Sequence, residues 1–389
     1  MAAANSALTA HGADWPAGCP TGNQSTDVFV IGGGPAGLAA AIAARGRGFA
    51  VTMADRAAPP IDKACGEGIM PDGVAAARAL GISLAAAGAH PFRGIRFCDE
   101  DLAVEAPFPR GVGFGIRRTA LHESMVDCAA RAGVRMLWRE SVTGIEPAGV
   151  RLGGRLHRAR WIVGADGGNS LVRRWAGLDA CVRHSRRYGF RRHYRIAPWS
   201  DFMELHWGEA GQLYLTPVAR DEVCLVLISR DHDLRLDSVL PRFPLLARRL
   251  ASAAGEPGER GGVSASRRLR QVFRGNVALV GDASGSVDAI TGEGLCLLFQ
   301  QSEALADALA AGDLARYQAA HRRLARRPRW MADLMLLLDR HHRLRSRVLR
   351  SFAARPRLLA GMLATHVGDL SFLDSAANGL ALGWRMLTL

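Results

Sequence analysis

The run Asp27-Val-Phe-Val-Ile-Gly-Gly-Gly-Pro-Ala-Gly-Leu-Ala-Ala-Ala41 constrains this chain more than any other. It reads as a β-branched strand, a glycine turn and an alanine-rich helix start. Gly32, Gly34 and Gly37 fit the spacing G-x-G-x-x-G. In such a turn the first glycine permits the tight bend and the second lets a pyrophosphate approach the backbone. The third lets the helix pack on the strand. The helix start adds free N–H groups and a partial positive charge. A second strand, Phe49–Asp55, ends in an acid 23 residues past Gly32, close to the roughly 20 expected for a ribose-binding carboxylate. The expected architecture is therefore α/β, with a Rossmann-type dinucleotide unit at its start.

The length of 389 residues allows two or three structural units, and 49% hydrophobic residues allow a large core. No apolar run approaches the roughly 18 residues of a membrane span. Residues 1–26 are rich in Ala, Gly, Ser and Asn and read as a disordered leader, without the layout of a secretory signal. The formal charge of +14 is almost all arginine; Lys63 is the only lysine. No recognition helix, zinc spacing or aromatic–basic platform accompanies that charge, so nucleic acid is not an expected partner. The seven cysteines are scattered without C-x-x-C, the pattern of a reduced, cytoplasmic protein.

Periodicity predicts helix over Thr119–Ala132 and Gly294–Ala311 and buried strands at Val134–Leu137, Trp161–Val163 and Val277–Val280. Strand-like runs at Tyr188–Ile196, Phe202–Trp207, Gln212–Pro217 and Glu222–Ser229, broken by Pro, Gly and Asp, predict an antiparallel sheet inserted into the α/β unit. The expected division is a leader over 1–26 and an α/β unit over 27–88, 113–175 and 272–329. Substrate-domain strands take 89–112 and the β-sheet substrate domain 176–271, with a helical cap over 330–389. In that tail Leu334, Leu336, Leu337 and Leu338 interleave with Arg340, Arg343, Arg345, Arg347 and Arg350. The pattern fits a cap on the core; it also fits a basic amphipathic surface that lies on a membrane, making the protein cytoplasmic or membrane-peripheral.

Two later strand ends carry the same acid-plus-glycine chemistry. Trp161-Ile-Val-Gly-Ala-Asp166-Gly167 is followed by Ser170 and Arg173 at the next helix start, and Val277-Ala-Leu-Val-Gly281-Asp282 by Ala283-Ser-Gly285. A carboxylate at such a strand end can accept a ribityl hydroxyl, which a nicotinamide dinucleotide lacks. Together the three motifs resemble the FAD-dependent group A flavoprotein monooxygenase and geranylgeranyl reductase superfamily over about Asp27 to Pro328. The resemblance implies a glutathione-reductase-like Rossmann FAD domain with an inserted antiparallel β-sheet substrate domain and a C-terminal helical region. It implies FAD contacts from Gly32, Gly34, Pro35, Ala36, Gly37, Asp55 and Arg56. It also implies Arg118 near the cofactor chain, Asp166 and Gly167 near the pyrophosphate, and Gly281 with Asp282 at the ribityl chain. Gly292 and Gly294, at the start of the long helix, would face the flavin pyrimidine edge. NAD(P)H is the expected transient electron donor, since no second dinucleotide fingerprint follows.

Three residues are candidates for chemistry. Cys65 and Glu67 lie in Cys65-Gly-Glu-Gly68, which resembles the Cys-Gly-x-Gly loop of geranylgeranyl reductases and the Gly-Glu loop of flavin halogenases. Cys65 is read as a proton donor or as a small buried wall. Glu293 is read as an acid at the flavin or as a simple helix-start residue. The aromatic residues Tyr188, Phe190, Tyr194, Phe202, Trp207 and Tyr214 supply the expected apolar substrate wall, alternate ones facing inward; His193 and His206 are candidate acid/base groups. The family hydroxylases carry Gly-Asp-Ala-Ala-His where this chain has Ser284-Gly285. A halogenase would need a lysine past the Cys65 loop. The expected function is an NAD(P)H-dependent monooxygenase of a hydrophobic aromatic polyketide-like or isoprenoid molecule. The alternatives are an enzyme saturating isoprenoid double bonds and, behind it, a flavin halogenase or a non-catalytic flavin-binding protein.

Overall fold

A computed structural model of the protein describes residues 25–99 and 102–367. The predicted leader, apart from its last two residues, and the end of the helical tail lie outside these residues. Strand β1 (Ser25–Ile31) pairs in parallel with β2 (Val51–Asp55) across helix α1 (Pro35–Gly46). This is the βαβ unit that the glycine run demands. Helix α2 (Pro71–Ala79) follows a loop. Strands β3 (Gly94–Asp99) and β4 (Leu102–Pro107) form an antiparallel pair. Helix α3 (Arg118–Arg131) then leads into β5 (Arg135–Trp138), which extends the parallel sheet beyond β2. Strand β6 (Arg155–Gly164) pairs with the other side of β1 and ends at Ala165-Asp166, followed by the short helix α4 (Leu171–Trp175).

The chain next builds the larger sheet: β7 (Cys181–Arg195), β8 (Phe202–Gly208), β9 (Gly211–Ala219) and β10 (Glu222–Ser229), then helices α5 (Leu236–Val239) and α6 (Pro244–Leu250), then β11 (Arg260–Leu269). The order across it runs β11-β7-β10-β9-β8-β3-β4. All these pairings are antiparallel except one: β3 runs parallel to β8, Gly94 opposite Phe202 and Asp99 opposite Trp207. The early chain thus completes a sheet whose other strands come about a hundred residues later. That long-range pairing leaves no mark in local periodicity.

Strand β12 (Val277–Leu279) returns the chain to the parallel sheet beside β6. Helices α7 (Gly294–Ala310), α8 (Leu314–Leu324), α9 (Arg326–Arg340), α10 (His342–Ala354) and α11 (Pro356–His366) finish the described chain. No described helix is long and apolar enough to cross a membrane. The core has two parts. A continuous one joins the parallel sheet, α1 and α7, the C-terminal helices and one face of the larger sheet, from which it takes Met203, Leu205, Trp207, Tyr214 and Val226. A smaller one covers the opposite face, where Tyr194, Leu213, Leu215, Val223 and Leu225 meet Leu236, Val239, Leu246 and Leu250 of α5 and α6. Side chains alternate along a strand, so parity decides which core each residue joins.

Candidate functional site

The glycine turn holds a cradle open. Gly32 has φ +111, and a Cβ there would lie 2.5 Å from Ala165 O; a Cβ on Gly37 would lie 1.8 Å from Gly32 O. Both glycines are required by the fold. A Cβ on Gly34 would meet nothing within 4 Å. Gly34 caps α1 and faces open space, where the unpaired N–H groups of the first turn can meet an anion. Asp55 braces the turn: one carboxylate oxygen accepts from Gly33 N–H at 2.6 Å and the other from Ala57 N–H at 2.7 Å. Arg56 is exposed beside it. His122 of α3 was not foreseen. Its Nδ1 accepts from Ile61 N–H at 3.4 Å and its Nε2–H donates to Gly33 O at 2.8 Å. Burial lowers its pKa, so the neutral ring keeps this tautomer.

Asp166 is engaged within its own turn. One oxygen accepts from Ser170 Oγ at 2.5 Å, and the other from the N–H groups of Leu171 and Val172 at 2.6 and 3.1 Å. The carboxylate thus caps α4, whose first N–H groups have no partner within the helix. Buried Arg173 clamps the same turn, donating to Gly168 O at 3.0 Å and Ala283 O at 3.2 Å. Gly167, with φ +79, again has open space where a Cβ would stand.

Asp282 remains at the open end. It pairs with Lys63 at 2.8 Å, both side chains about half exposed. Burial pushes its carboxyl up, but Lys63, Arg118 and Arg267 outweigh burial and hold it below its ordinary value. Gly281 packs against α1, a Cβ there falling 2.5 Å from Ala36. Arg118 Nε is buried without a hydrogen-bond partner among the described residues. At the start of α7, Gly292 (φ +67) and Gly294 also have open space at the Cβ position. Open glycines, a guanidinium nitrogen without a partner among the described residues and the half-exposed Asp282–Lys63 pair make up a donor set that fits FAD.

Glu67 is held on every side. It is 1% exposed and has φ +60, a left-handed conformation uncommon outside glycine. Its Oε1 accepts from Arg118 N–H and Arg191 Nη1, both at 2.9 Å, and its Oε2 lies 2.7 Å from His193 Nε2. Arg191 also grips Asp62 through two bonds of 2.9 Å, and His193 Nδ1 lies 2.9 Å from Glu256. Burial opposes the charge on His193, yet Glu67 and Glu256 raise its pKa. Both oxygens of Glu67 are engaged, so it anchors the Cys65–Gly68 loop and is not a free acid. Thr216 Oγ1 pins the same loop, donating to Gly66 O at 2.8 Å. Cys65 is half-buried, its Sγ accepting from Glu67 N–H at 3.4 Å.

The predicted aromatic wall divides by parity. Tyr214 faces the main core and donates to Ile290 O at 2.7 Å. Trp207 shares that face, with the guanidinium of Arg345 over its ring. Arg345, predicted on a basic surface, is buried against Asp99 at 3.0 Å. Phe190 and Tyr194 pack in the second core, on the far side of the sheet. Tyr188 shares their parity and stacks near His232. Phe202 precedes inward-facing Met203 and lies under Arg93. These four do not share the face of Tyr214 and Trp207. Their odd-numbered neighbours Arg187, Arg191 and His193 take it, held by carboxylates. His206 also points away, paired with Glu204 at 2.9 Å.

A small apolar cavity of about 30 Å³ lies between this sheet face, the loop before α7 and the C-terminal helices. Met203, Leu205 and Tyr214 form one wall, Ile290 another, and Met331, Met335 and His366 a third. Behind His366 stands Glu293, the N-cap residue of α7, its Oε1 3.1 Å from His366 Nδ1. Both residues are buried, and neither Glu293 Oε2 nor His366 Nδ1 has a hydrogen-bond partner among the described residues. Burial, with nearby Asp72, pushes the Glu293 carboxyl well above the usual range, while burial takes His366 down to about 4. Burial thus disfavours a charge on either member of the pair. His366 carries no motif, and only the fold brings it to Glu293.

A model of the FAD binding domain matches residues 25–193. The chain is 29% identical over 330 residues to a menaquinone reductase of Mycolicibacterium smegmatis, covering 77% of this chain and 80% of that protein. It is 24% identical over 318 residues to the 3-demethoxyubiquinol 3-hydroxylase of Escherichia coli, covering 74% and 80%. The crystal structure of a geranylgeranyl bacteriochlorophyll reductase-like protein from Thermoplasma acidophilum shares the fold, with a TM-score of 0.73 at 18% identity over 94% of this chain and 98% of that one. The cradle and these likenesses agree: residues 25–193 carry an FAD binding domain, the chain is similar over most of its length to both a reductase and a hydroxylase, and it is an FAD-dependent oxidoreductase.

Proposed function

We propose that this enzyme saturates a carbon–carbon double bond in the isoprenoid chain of a lipophilic molecule of the quinone-lipid class, with NAD(P)H as electron donor. The carrying observation is the Glu293–His366 pair at the wall of an apolar cavity, beside the helix start that would face the flavin. Saturation adds one hydride equivalent and one proton across two carbons. Bound and reduced, FAD supplies the hydride equivalent. Gly34 and the α1 N-terminus would hold its pyrophosphate, Asp282 its ribityl hydroxyls, and Arg118 an oxygen of the linking chain. His366 gives its Nε2 proton to the second carbon while its Nδ1 takes the proton of the Glu293 carboxyl. Water restores that proton after product leaves. Met331, Met335 and Met203 exclude water and shape themselves to a flexible chain. Likeness to a menaquinone reductase over most of both chains supports this reading.

Monooxygenation is the second reading. The likeness to a quinol hydroxylase of similar coverage favours it, and the apolar cavity suits oxygen chemistry. One experiment separates them. The holoenzyme is reduced by NADPH without oxygen in D2O, with a polyprenyl quinone as substrate. A saturated product carrying solvent deuterium at each reduced bond supports the reductase. No anaerobic product, together with incorporation of oxygen-18 from labelled O2 in air, overturns it.

A further inference from the structure

Helix α9 has two different faces. One buries Met331, Met335 and Leu338, and the two methionines line the candidate cavity. The other carries Trp330, 51% exposed, and Leu337, 44% exposed, with half-buried Leu334 between them. Residues 330, 334 and 337 follow i, i+4, i+7 and form one stripe on a helix. Exposed Arg327 stands three positions before Trp330 and exposed Arg340 three positions after Leu337, so guanidinium groups border the stripe at both ends. Of the two acids on α9, Asp339 is held by Arg187 and Arg230, which leaves Asp333 as its exposed acid. Arg343 and Arg347, exposed on the following helix, extend the positive charge.

We propose that this face of α9 docks the enzyme on an anionic phospholipid surface. A Trp and two Leu side chains enter the headgroup–acyl boundary, and arginines meet lipid phosphates. Charge complementarity decides the occupant: a stripe bordered by cations in a chain of net charge +14 fits an anionic bilayer. Docking is independent of the chemistry. Its consequence rests on the proposed function, because it places a membrane-dissolved substrate one helix away from the cavity.

Vesicle flotation of the full holoenzyme tests the surface, with phosphatidylcholine vesicles with and without 30% (roughly) phosphatidylglycerol. Expected is binding to the anionic vesicles, little to the neutral ones, and release in high salt. Trp330→Ser with Leu337→Ser, and separately Arg327→Glu with Arg340→Glu, should each weaken binding about tenfold or more while circular dichroism and the FAD spectrum stay unchanged. Equal binding to both vesicle types, or unchanged flotation of both folded double variants, overturns the proposal. So does a concentration-dependent dimer that the Trp330/Leu337 variant abolishes without vesicle binding, since the stripe would then join two copies. Reduction of a detergent-dispersed substrate is read separately, so failure of docking leaves the chemistry standing and the reverse also holds.

Discussion

Two buried Glu–His pairs, Glu67–His193 and Glu293–His366, differ in nearly everything except burial. Glu67 accepts three bonds, and His193 is held between two carboxylates. Glu293 and His366 approach at 3.1 Å but leave an acid oxygen and a ring nitrogen without partners among the described residues, with apolar side chains lining the cavity beside His366. The first pair is hydrogen-bonded on every side; in the second, burial disfavours a charge on either member. A compensated pair has no spare valence for substrate and serves as an anchor. An uncompensated pair holds a proton that it can release when a reacting carbon develops charge.

The largest effect that would break this contrast is at Glu293. Glu293→Gln keeps the shape and removes the transferable proton. A fall in kcat of roughly 10²–10⁴-fold is expected, with the FAD spectrum and its reduction by NADPH unchanged. Infrared difference spectra should lose the band of a protonated carboxyl, a readout independent of turnover. Full activity in this variant would remove the pair from the mechanism. Glu67→Gln should instead act on stability. It leaves Arg191 and His193 short of a buried countercharge, so a loss of about 3–5 kcal/mol is expected in denaturant unfolding, with loosened FAD binding. If Glu67→Gln kept its stability and lost only kcat, the anchor and the acid would have exchanged roles.

How far the sequence foretold this depends on the range of the interactions. The βαβ turn was legible because its signal is local: Gly32, Gly37 and Asp55 act within one strand–helix–strand unit. The Gly281-Asp282 strand end was legible for the same reason. Asp166 was recognised as a strand-end acid, yet its task, capping α4, depends on which N–H groups are nearest in space. The aromatic wall failed on parity. Tyr188, Phe190 and Tyr194 advertise an apolar face, but that face belongs to the core under α5 and α6, while the polar Arg187, Arg191 and His193 face inward because Asp288, Glu67 and Asp62 reach them from distant loops. Glu293 was visible as a helix-start acid; its partner His366 lies 73 positions later, at the end of a helix with no motif.

pH should separate the pairs more gently. His366 titrates near 4 when folded against about 6.5 unfolded. Its contribution is present above about 6.5 and is lost as pH falls through 4, when the unfolded chain takes up a proton the folded one resists. His193 is raised, so its contribution is present below about 6.5 and is lost as pH rises past its folded value. Hydrogen exchange should therefore show α11 loosening first on acidification and the Cys65–Gly68 loop first on alkalinisation. The opposite order would refute the assignment of charge to the two pairs.

The smallest expected effect comes from a third pair, which tests whether compensation is the deciding variable. Glu204 and His206 lie 2.9 Å apart on the outer face of the larger sheet, and Trp199 Nε1–H donates to Glu204 at 3.0 Å. Burial works against the imidazolium, but Cys98 and Glu204 raise His206 to about 9, while burial of Glu204 is outweighed by His206, Trp199 and Arg96, which lower it. The pair is thus charged and compensated by its own hydrogen bonds, on the sheet face opposite the core that holds Tyr214 and Trp207. His206→Gln should cost roughly 1–3 kcal/mol, with activity intact. In the wild type the His206 contribution should be complete below about 6.5 and fade as pH rises through 9; in the variant that alkaline loss should vanish. Calorimetric midpoints between pH 6 and 10 (roughly) read both effects, and a variant as pH-sensitive as the wild type would show that another group carries the charge.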